Sequence, residues 1–493
     1  MTASTETART LPNLSDVLPK QRGLYYDGRW QEPAGGYLDT WNPGTGESLG
    51  RSAQANAQDV DAAARAAHCA FKEWHRVKPL ERGALLKRIA AVLREHAEEF
   101  ALLDAANCGN PVSAMVRDVY DGAAYIDFFA GLVTELKGDI TPMGEDIVNL
   151  TVREPWGVCA RIVAYNHPLM FAAMKIGAPL AAGNTLIIKP PPQAPLSAYR
   201  MMELIDGIVP PGVINLLSGG RECGEALTAH PLIPVVTLVG SVESGRACAR
   251  SAADRLKKVS LELGGKNALI IYPDADIPKA IEGAIKGMNF TWCGQSCGST
   301  SRLFVPESLH GRVLDGVLEA LKRFRPGIPT EPDTTMGAIV SRAQLDKILR
   351  YIDIGKAEAR LVTGGGRPQD PKLANGHFVE PTVFDGVDMT MRIAREEIFG
   401  PVLSVIAWQE EEKMLEQVNA VDYGLTASIY TTNLATAHRA SRRVEAGYVW
   451  VNNAAPHFVG VPFGGYKLSG VGREESIEEL YAFSQTKNIN ITL

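Results

Sequence analysis

A cysteine within a run of small residues is the first position in this sequence that could carry covalent chemistry. Cys297 lies in the segment 294–299, where small neighbours leave the sulfur accessible and let a ligand approach the backbone. A thiolate is a strong nucleophile toward carbonyl carbons, and nearby backbone N–H groups lower its pKa. A lone cysteine also packs commonly as a small buried side chain. The residue alone therefore predicts either a nucleophile or a core position.

A carboxylate and an amide lie where two predicted strands end. Glu262 is flanked by leucines at the end of a predicted central strand, and ligands bind at the carboxyl edge of an open α/β sheet. Burial there would raise its pKa toward the range of a general base, unless Lys266 pairs with it. Asn166 follows another strand, and its amide could stabilise an oxyanion or cap the next helix.

The glycine pattern typical of dinucleotide-binding folds, Gly-x-Gly-x-x-Gly after the first strand, is absent. The segment 218–224 is rich in glycine, with Gly220 and Gly224, and it precedes a predicted helix. Ser241 opens the next helix, where it could bind an anion or only cap the helix. Lys189 lies at a strand end, directed either toward a ligand or toward solvent. These positions indicate an anion site without defining its ligand.

Alternating strands and helices must place these side chains together. Strands are predicted near 158–164, 185–189, 213–217, 235–239 and 258–262, with helices between them, which implies a parallel sheet with right-handed crossovers. A second alternating series runs from 268 to about 429, with a helix at 277–290 and a strand at 301–305. Apolar residues at helical spacing predict helices over 57–105, with Asp59 and Pro79 as start signals. The sequence therefore predicts two α/β lobes.

Two β segments and one polar arm lie outside these lobes. Residues 136–157 carry turn residues among alternating apolar ones and predict a β-hairpin, and the tail 486–493 alternates apolar and polar residues like an edge strand. An exposed apolar edge usually finds a partner, so we expect hairpin and tail to form an oligomerisation unit in a homodimer or homotetramer. The first 20 residues are rich in Thr, Ser and Pro and predict a loose arm.

Bulk composition argues against several classes of function. Lys and Arg total 50 against 56 Asp and Glu, a net charge of −6 that does not favour binding to nucleic acid. No run of about 18 apolar residues predicts a membrane span, and the start of the chain does not resemble a secretory signal. The seven cysteines lack the spacing of a disulfide framework or a zinc site. We therefore expect a cytoplasmic protein with reduced thiols and no metal.

Seven segments, taken in their order and spacing, resemble the aldehyde dehydrogenase family over nearly the whole chain. They are 166–169, 183–190, 211–215, 261–266, 294–297, 396–401 and 462–467. The resemblance implies an α/β fold with a Rossmann-like cofactor domain, an α/β catalytic domain and a small β oligomerisation unit. The expected bounds are 1–19 for the arm, 20–137 and 158–263 for the NAD(P)-binding domain, 264–475 for the catalytic domain, and 138–157 with 476–493 for the oligomerisation unit.

The resemblance assigns five residues to the oxidation of an aldehyde to a carboxylic acid. Cys297 would attack the aldehyde carbon, and Asn166 with the backbone N–H of Cys297 would hold the oxyanion. Loss of hydride to a nicotinamide then leaves a thioester. Glu262 would activate the water that hydrolyses it, which indicates a hydrolytic rather than a CoA-acylating enzyme. Lys175 and Glu474 resemble the family's proton-relay residues behind that base.

The same resemblance implies a bound nicotinamide dinucleotide. Lys189 and Glu397 would hold the two riboses, Ser241 would touch the pyrophosphate, and Phe399 would pack near the nicotinamide ribose. The expected site is completed by Gly220, Gly224 and Leu263.

Two departures from the family pattern leave the choice between NAD and NADP open. Pro192 stands where many members have a glutamate that repels a 2′-phosphate. Arg221 lies in the glycine-rich loop, where it could approach a phosphate. We lean slightly to NAD, because Arg221 can equally be solvated.

The resemblance also predicts an apolar, partly aromatic substrate pocket. Such walls suit an aromatic or medium-chain aldehyde, with about 25 cal/mol gained for each Å² of apolar surface buried. No arginine belongs to the predicted set, so an aldehyde bearing a carboxylate or phosphate is not expected. The residues expected to line the pocket are His167, Met170, Met174, Thr291, Trp292, His457 and Phe458.

Three other functions stay open on the sequence alone. A betaine aldehyde or aminoaldehyde would need an aromatic cage from Trp292, Phe458 and Tyr165, although Met174 stands where amine-handling relatives commonly have tryptophan. A catalytically silent structural member is possible in principle, but the joint presence of the cysteine, glutamate and asparagine argues against it. A thioesterase-like hydrolase would need only the cysteine and the glutamate, and its activity would not depend on a cofactor.

Overall fold

The structure is a computed structural model that describes residues 11–493. Residues 1–10 of the predicted arm lie outside the described residues. The expectation of a loose arm is wrong for the part that follows, because residues Leu14–Val17 form a short helix, α1, and Val17 is buried. Leu14 and Leu18 pack against the neighbouring core, so apolar burial outweighs the polar composition of this segment.

Helices dominate the chain up to residue 131, and they confirm the predicted helical stretch. Helix α2 begins at a capping box in which the Asp59 carboxylate accepts from the backbone N–H of Asn56 at 3.0 Å. Pro79 occupies the first turn of α3, and Gly109 in the left-handed conformation ends α4. After α1 come β1 (Leu24–Tyr26), β2 (Arg29–Gln31), β3 (Tyr37–Trp41), β4 (Ser48–Ala53), α2 (Ala57–Trp74), α3 (Pro79–Glu95), α4 (Ala97–Cys108) and α5 (Val112–Gly131).

The first sheet is built by alternating strands and helices, as predicted. The elements are β5 (Ile140–Pro142), β6 (Ile147–Pro155), β7 (Val158–Ile162), α6 (Pro168–Ala181), β8 (Thr185–Lys189), α7 (Leu196–Ile205), β9 (Ile214–Leu216), α8 (Arg221–Ala229), β10 (Val235–Val239), α9 (Val242–Ala253) and β11 (Lys258–Glu262). The five predicted strands pair in parallel in the order β9-β8-β7-β10-β11. Strand order reverses between β7 and β10, which creates a crevice at their carboxyl ends.

The central strands of this sheet carry apolar residues on both faces because helices cover both faces. Leu186 and Ile188 pack into the core that includes α3 to α6, and Ile187 between them packs into the core that includes α2 and α8. Strands β1 and β2 extend the sheet in antiparallel fashion beyond β9.

The remaining chain forms the second sheet and then adds one strand, β21 (Gly470–Val471), to the edge of the first sheet. Its elements are β12 (Ala268–Ile271), α10 (Ile277–Gly287), β13 (Arg302–Pro306), α11 (His310–Leu321), α12 (Arg342–Glu358), β14 (Arg360–Thr363), β15 (Thr382–Asp385), α13 (Arg392–Arg395), β16 (Val402–Trp408), α14 (Glu411–Asn419), β17 (Tyr423–Gly424), β18 (Thr426–Tyr430), α15 (Leu434–Arg443), β19 (Tyr448–Val451), β20 (Tyr466–Lys467), β21 (Gly470–Val471), α16 (Ile477–Ala482) and β22 (Ser484–Thr492).

The second alternating series is confirmed as a sheet of the order β14-β15-β16-β13-β12-β18-β19, parallel except at β14. The helix predicted at 277–290 ends earlier, at Gly287, because Asn289 adopts the left-handed conformation and a 3₁₀ turn follows. Strand β21 pairs with β11, so that Glu262 lies opposite Gly470. A strand that follows the second sheet therefore pairs with β11, the strand that ends at the candidate base, Glu262.

A third sheet confirms the predicted hairpin and terminal strand. It has the order β22-β6-β5, and β22 pairs with β6 from Ser484 to Thr492. Since β22 is the edge strand, its outer side is open to a partner. Within residues 11–493, no helix is both long and apolar enough to cross a membrane. No group of three or more His, Cys, Asp or Glu side chains in the same range is arranged to hold a metal.

Candidate active site

A cavity of about 760 Å³ lies at the carboxyl ends of the first sheet. Its walls include Val239 and Glu262, which end β10 and β11, the first turns of α6, one face of α5 and the loop that carries Cys297. The three residues predicted to carry the chemistry, Cys297, Glu262 and Asn166, all line this cavity. Segments far apart in the sequence are therefore brought to one place by the sheet's switch point.

The loop that carries Cys297 is held in place by hydrogen bonds from one side chain and by close backbone packing. Asn267 donates from Nδ2 to the carbonyl oxygens of Cys297 and Ser299, at 2.7 and 3.0 Å. Gly294 has a φ of 64°, and a Cβ there would lie 2.2 Å from the carbonyl oxygen of Gly400, so only glycine fits this turn. The sulfur is thus held at the cavity by a loop with little freedom to move.

The carboxylate of Glu262 lies against the thiol of Cys297. Burial raises the pKa of Glu262 well above its usual range, and the nearby Glu474 carboxylate raises it further. Burial likewise raises the pKa of the Cys297 thiol, with an added contribution from Glu262. The predicted alternative of an ion pair with Lys266 is wrong, because neither Oε1 of Glu262 nor Nζ of Lys266 has a hydrogen-bond partner among residues 11–493.

Asn166 does not cap the helix that follows it. His167 occupies the cap position of α6, without a side-chain cap bond, and Pro168 begins the helix. The carbonyl oxygen of Asn166 accepts from Nδ2 of Asn110 at 2.7 Å, which fixes the backbone. Its own amide has no protein partner within the described part of the chain, so the amide is free to donate to an oxygen in the cavity.

The predicted relay residues form a buried ion pair behind Glu262. Nζ of Lys175 is hydrogen-bonded to the carboxylate of Glu474, and both side chains line the cavity. Arg161 lies 3.7 Å from Glu474 and 2.9 Å from Glu479, so the pair continues into a larger charged cluster. Because the charges of Glu474 and Lys175 shift the pKa of Glu262 in opposite directions, the pair is electrostatically coupled to the candidate base.

The residues predicted to hold the adenosine half of a dinucleotide surround two helix N-termini. The ammonium of Lys189, at the end of β8, has no protein partner among the described residues, and burial lowers its pKa. Gly220 occupies the cap position before α8 and provides no side-chain cap, and a Cβ on Gly224 would lie 3.9 Å from Cε of Lys189. Ser241 caps α9 by accepting from the N–H of Ser244 at 3.2 Å. A buried cation beside an uncapped N-terminus fits an anionic group of a cofactor.

The residues predicted for the nicotinamide half lie beside Glu262. Glu397 accepts from the N–H of Gly265 at 2.8 Å, and a Cβ on Gly264 would lie 2.2 Å from its Oε2, so the carboxylate packs directly on this loop. Phe399 has a φ of 57° and contacts the ring of Tyr165 edge to face, with centroids 5.9 Å apart. Leu263 packs on α9, where a Cβ on Gly245 would lie 2.6 Å from its Cδ1. This chain of contacts joins the two halves of the predicted site.

Five of the seven residues predicted for the substrate pocket line the cavity, and two do not. Met174 is 2% exposed and Phe458 is 54% exposed, and neither side chain belongs to the lining of the cavity. The five that line it are His167, Met170, Thr291, Trp292 and His457.

The cavity also contains charged residues that the sequence-based set missed. Two are arginines, so the expectation of a pocket free of arginine is wrong, but both are paired with carboxylates. Arg117 lies 3.6 Å from Asp121, and Arg323 lies 2.8 Å from Glu282. The missed side chains on α5 are spaced three or four residues apart, which is the one signal that could have found them: Ser113, Arg117, Asp121 and Tyr125, with Asp118 adjacent.

Comparison with known proteins gives consistent results over nearly the whole chain. The model of the aldehyde dehydrogenase family matches residues 30–489. The chain is 50% identical to aldehyde dehydrogenase tropH of Talaromyces stipitatus, over 99% of this chain and 96% of that protein. The NAD+ complex of an aldehyde dehydrogenase from Bacillus cereus superposes with a TM-score of 0.95 at 35% identity, covering 98% of this chain and 99% of that one. The P. syringae indole-3-acetaldehyde dehydrogenase AldA, in complex with NAD+ and IAA, gives 0.94 at 36% identity, covering 97% and 98%.

Proposed function

The chain belongs to the aldehyde dehydrogenase family, and we propose that it oxidises an aromatic or medium-chain aldehyde to the carboxylic acid through a thioester on Cys297. The observation that carries the proposal is the meeting of three side chains in one cavity: the thiol of Cys297, the carboxylate of Glu262 against it, and the unpartnered amide of Asn166. Nucleophile, base and oxyanion donor are the parts that acyl chemistry at a carbonyl carbon requires.

The first step is attack of the Cys297 sulfur on the aldehyde carbon. The thiol proton passes to a base, and the adjacent carboxylate of Glu262 is positioned to accept it. The amide of Asn166 and the backbone N–H of Cys297 stabilise the oxyanion of the tetrahedral adduct. Removal of such a donor typically lowers kcat by about 100- to 1,000-fold.

Lys189, Glu397 and the N-terminus of α8 hold the cofactor in this proposal. The chemistry that a bound nicotinamide supplies is acceptance of a hydride from the substrate carbon. We favour NAD over NADP, because Arg221, the cation available for a 2′-phosphate, is paired with Glu225 at 2.6 Å and lies exposed at the start of α8.

Hydrolysis of the thioester completes the reaction. Glu262 takes a proton from water as the water attacks the acyl carbon, and its raised pKa brings it nearer to the range of an effective general base. The ion pair of Lys175 and Glu474 lies next to Glu262 and can carry away the proton that Glu262 took from the thiol, so that the carboxylate can accept one from water. Release of the acid regenerates the thiol of Cys297, with the proton taken from water returning from Glu262 to the sulfur.

The cavity supports a neutral aldehyde better than a cationic one. Met170, Phe171, Trp292 and Trp450 give it apolar walls. Three of its carboxylates have partners: Asp118 lies at 2.6 Å from His167, Asp121 at 3.6 Å from Arg117, and Glu475 accepts a hydrogen bond from Tyr125. At these three positions a betaine aldehyde would find no unpaired carboxylate for its cation.

We also propose that the chain forms a homodimer or homotetramer through the third sheet. Strand β22 is open along its outer edge, and it carries Ile491 at 43% exposure. Leu493, just beyond the strand, is 78% exposed. A second copy of the sheet would cover this apolar edge.

The activity is tested by incubating the purified protein with NAD or NADP and a panel of aldehydes: benzaldehyde, hexanal, betaine aldehyde and succinic semialdehyde. Absorbance at about 340 nm follows the reduced cofactor, whose hydride comes from the substrate. We expect benzaldehyde or hexanal to be preferred and Cys297→Ala to abolish reduction. Cys69→Ala is the matched control, since Cys69 is exposed on α2.

Each rival function predicts a different result in this assay. A silent structural member reduces no cofactor with any aldehyde, and a thioesterase-like hydrolase cleaves a thioester at the same rate without cofactor. Preference for betaine aldehyde would establish the cationic substrate class. Undiminished activity in Cys297→Ala would refute the thioester mechanism.

A further inference from the structure

Two histidines at the substrate cavity each have a carboxylate as partner. Nδ1 of His167 lies 2.6 Å from Oδ2 of Asp118, and Nδ1 of His457 lies 3.3 Å from both oxygens of Glu475. An ionised carboxylate can only accept hydrogen bonds, so each Nδ1 carries a proton. Across residues 11–493, neither Nε2 has a protein partner, and both histidines line the cavity.

Helix α5 holds both pairs in place from one face. It supplies Asp118 itself, and seven residues further on Tyr125 donates from Oη to Oε2 of Glu475 at 2.6 Å. Burial raises the pKa of Glu475, but His457 and Tyr125 together with Lys175 lower it by more, so the carboxylate stays charged. The orientation of each imidazole is thus fixed by a partner that is itself fixed, which is the arrangement of a built recognition site.

Aromatic side chains lie beside both imidazoles. The rings of His167 and Trp292 have centroids 5.8 Å apart, and His457 lies 4.4 Å from Phe463 and 6.2 Å from Trp450. All of these aromatic residues line the cavity. A planar ring fits between such faces, while a polar substituent on the ring would meet the free Nε2 atoms.

Charge limits what that substituent can be. Each imidazole has its own carboxylate, so a pair is neutral when the imidazole is charged and negative when it is neutral, and neither state offers an uncompensated positive charge to a carboxylate substituent. A hydroxyl can donate to the Nε2 of a neutral imidazole and accept from the Nε2–H of a charged one. It is the neutral group that matches the histidines in both protonation states.

We infer that the preferred substrate is an aromatic aldehyde with at least one ring hydroxyl, which His167 and His457 recognise through Nε2. The inference rests on the proposed function and names its substrate class. A ring without a hydroxyl displaces water from the Nε2 atoms and returns no hydrogen bond, and sites built to bond a hydroxyl reject such analogues. We expect a preference of at least about 10-fold in kcat/KM, well within the range that such sites reach.

The test compares kcat/KM for benzaldehyde, meta- and para-hydroxybenzaldehyde, and the corresponding methoxybenzaldehydes. The methoxy compounds match the electronic effect of the hydroxyl but lack its donor hydrogen. The acid product is quantified by chromatography, because hydroxybenzaldehydes absorb in the same range as the reduced cofactor. We expect at least one hydroxy isomer to exceed both benzaldehyde and its methoxy analogue by about 10-fold or more.

Two variants assign the preference to the histidines. His167→Phe and His457→Phe should each reduce the ratio of hydroxy to methoxy substrate toward one, and His167→Gln, which keeps a hydrogen-bonding group, should retain part of it. The ratio is measured within one protein sample, so a loss of folded protein does not change it. His68→Phe, on the exposed side of α2, is the control and should keep the wild-type ratio.

The outcomes separate this inference from the proposed function. Oxidation of benzaldehyde with equal or greater efficiency than every hydroxy isomer overturns the inference and leaves the aldehyde dehydrogenase activity standing. A preference that survives in both phenylalanine variants overturns the role of the histidines. Failure to form acid from any aldehyde, benzaldehyde and hexanal included, refutes the proposed function itself.

Discussion

Burial controls how the two central residues of the site can react. It raises the pKa of both Cys297 and Glu262, and the two groups lie against each other, so the thiol holds its proton until the carboxylate can take it. The same carboxylate then faces the acyl group that Cys297 carries. One residue is therefore placed to act as base in both halves of the reaction.

Replacing Glu262 should separate the two halves. In Glu262→Gln the base for water is absent, so steady-state formation of acid should fall by about 100- to 10,000-fold. Turnover should stop at the thioester if the thiol can still lose its proton to water, and a first-turnover burst of reduced cofactor should remain visible in rapid-mixing absorbance. Glu319→Gln, at an exposed surface pair with Lys322, serves as the control. An unchanged steady-state rate would assign hydrolysis to another base.

The choice of cofactor is also decided at the scale of one residue. Arg221 is exposed and paired with Glu225, so Arg221→Ala should change kcat/KM for NAD by less than about 3-fold, the scale of an exposed ion pair. Kinetics with both cofactors should show NAD ahead of NADP in both proteins. A wild-type preference for NADP that is lost in Arg221→Ala would show that this arginine binds the 2′-phosphate.

A buried carboxylate of α4, Asp104, forms a hydrogen bond to α6. Oδ2 of Asp104 accepts from the N–H of Leu169 at 3.0 Å, and Oδ1 has no partner among the described residues. Burial raises the pKa of Asp104 to about 7. Leu169 lies three residues after Asn166, so this contact helps to set where α6 begins.

The connection predicts a dependence of stability on pH. Because the pKa of Asp104 is raised in the folded protein, the protonated form is favoured by folding, and its contribution is complete below a pH of about 4 and lost as the pH rises through about 7. The loss can reach about 1.4 kcal/mol for each pH unit in that window.

Asp104→Asn keeps an acceptor for Leu169 but cannot ionise. The thermal unfolding midpoint of the variant should therefore rise relative to that of the wild type as the pH increases from 5 to 8. Most of the stability that the wild type loses through ionisation of Asp104 is lost within this range. Asp346→Asn, on the exposed side of α12, should give no such change. Parallel curves for Asp104→Asn and the wild type would mean that Asp104 is ionised throughout.

For the whole molecule, the open edge of β22 predicts association. Sedimentation velocity should show a dimer or tetramer, and Ile491→Glu should shift the population toward smaller species, because a buried carboxylate at the covered edge would lose its water without gaining a partner. Glu319→Gln again serves as the control. A monomer at micromolar concentration in the wild type would contradict the proposed assembly.

Sequence periodicity determined the elements and much of the site. The strands β7 to β11 were predictable because short runs rich in β-branched and aliphatic residues, set between turn signals and alternating with helical patterns, are typical of a buried parallel sheet. The family motifs then supplied the catalytic and cofactor residues, among them Cys297, Glu262 and Lys189, although the glycine pattern of a dinucleotide fold was absent. Local pattern suffices for Lys189 and Glu262 because each ends a strand whose type is fixed locally, and motif order supplied Cys297, which lies in a loop.

Only the tertiary structure decided which side chains share the cavity and in which direction they face. Asn166 could have capped α6 and Glu262 could have paired with Lys266, and neither choice can be made from spacing alone. Asp118 and Tyr125 of α5 reach the cavity because α5 packs on α6, and Met174, although it is buried on α6, does not line it. The physical reason is that packing between distant segments sets each side chain's partners and burial, and these set its pKa and its free hydrogen-bonding atoms.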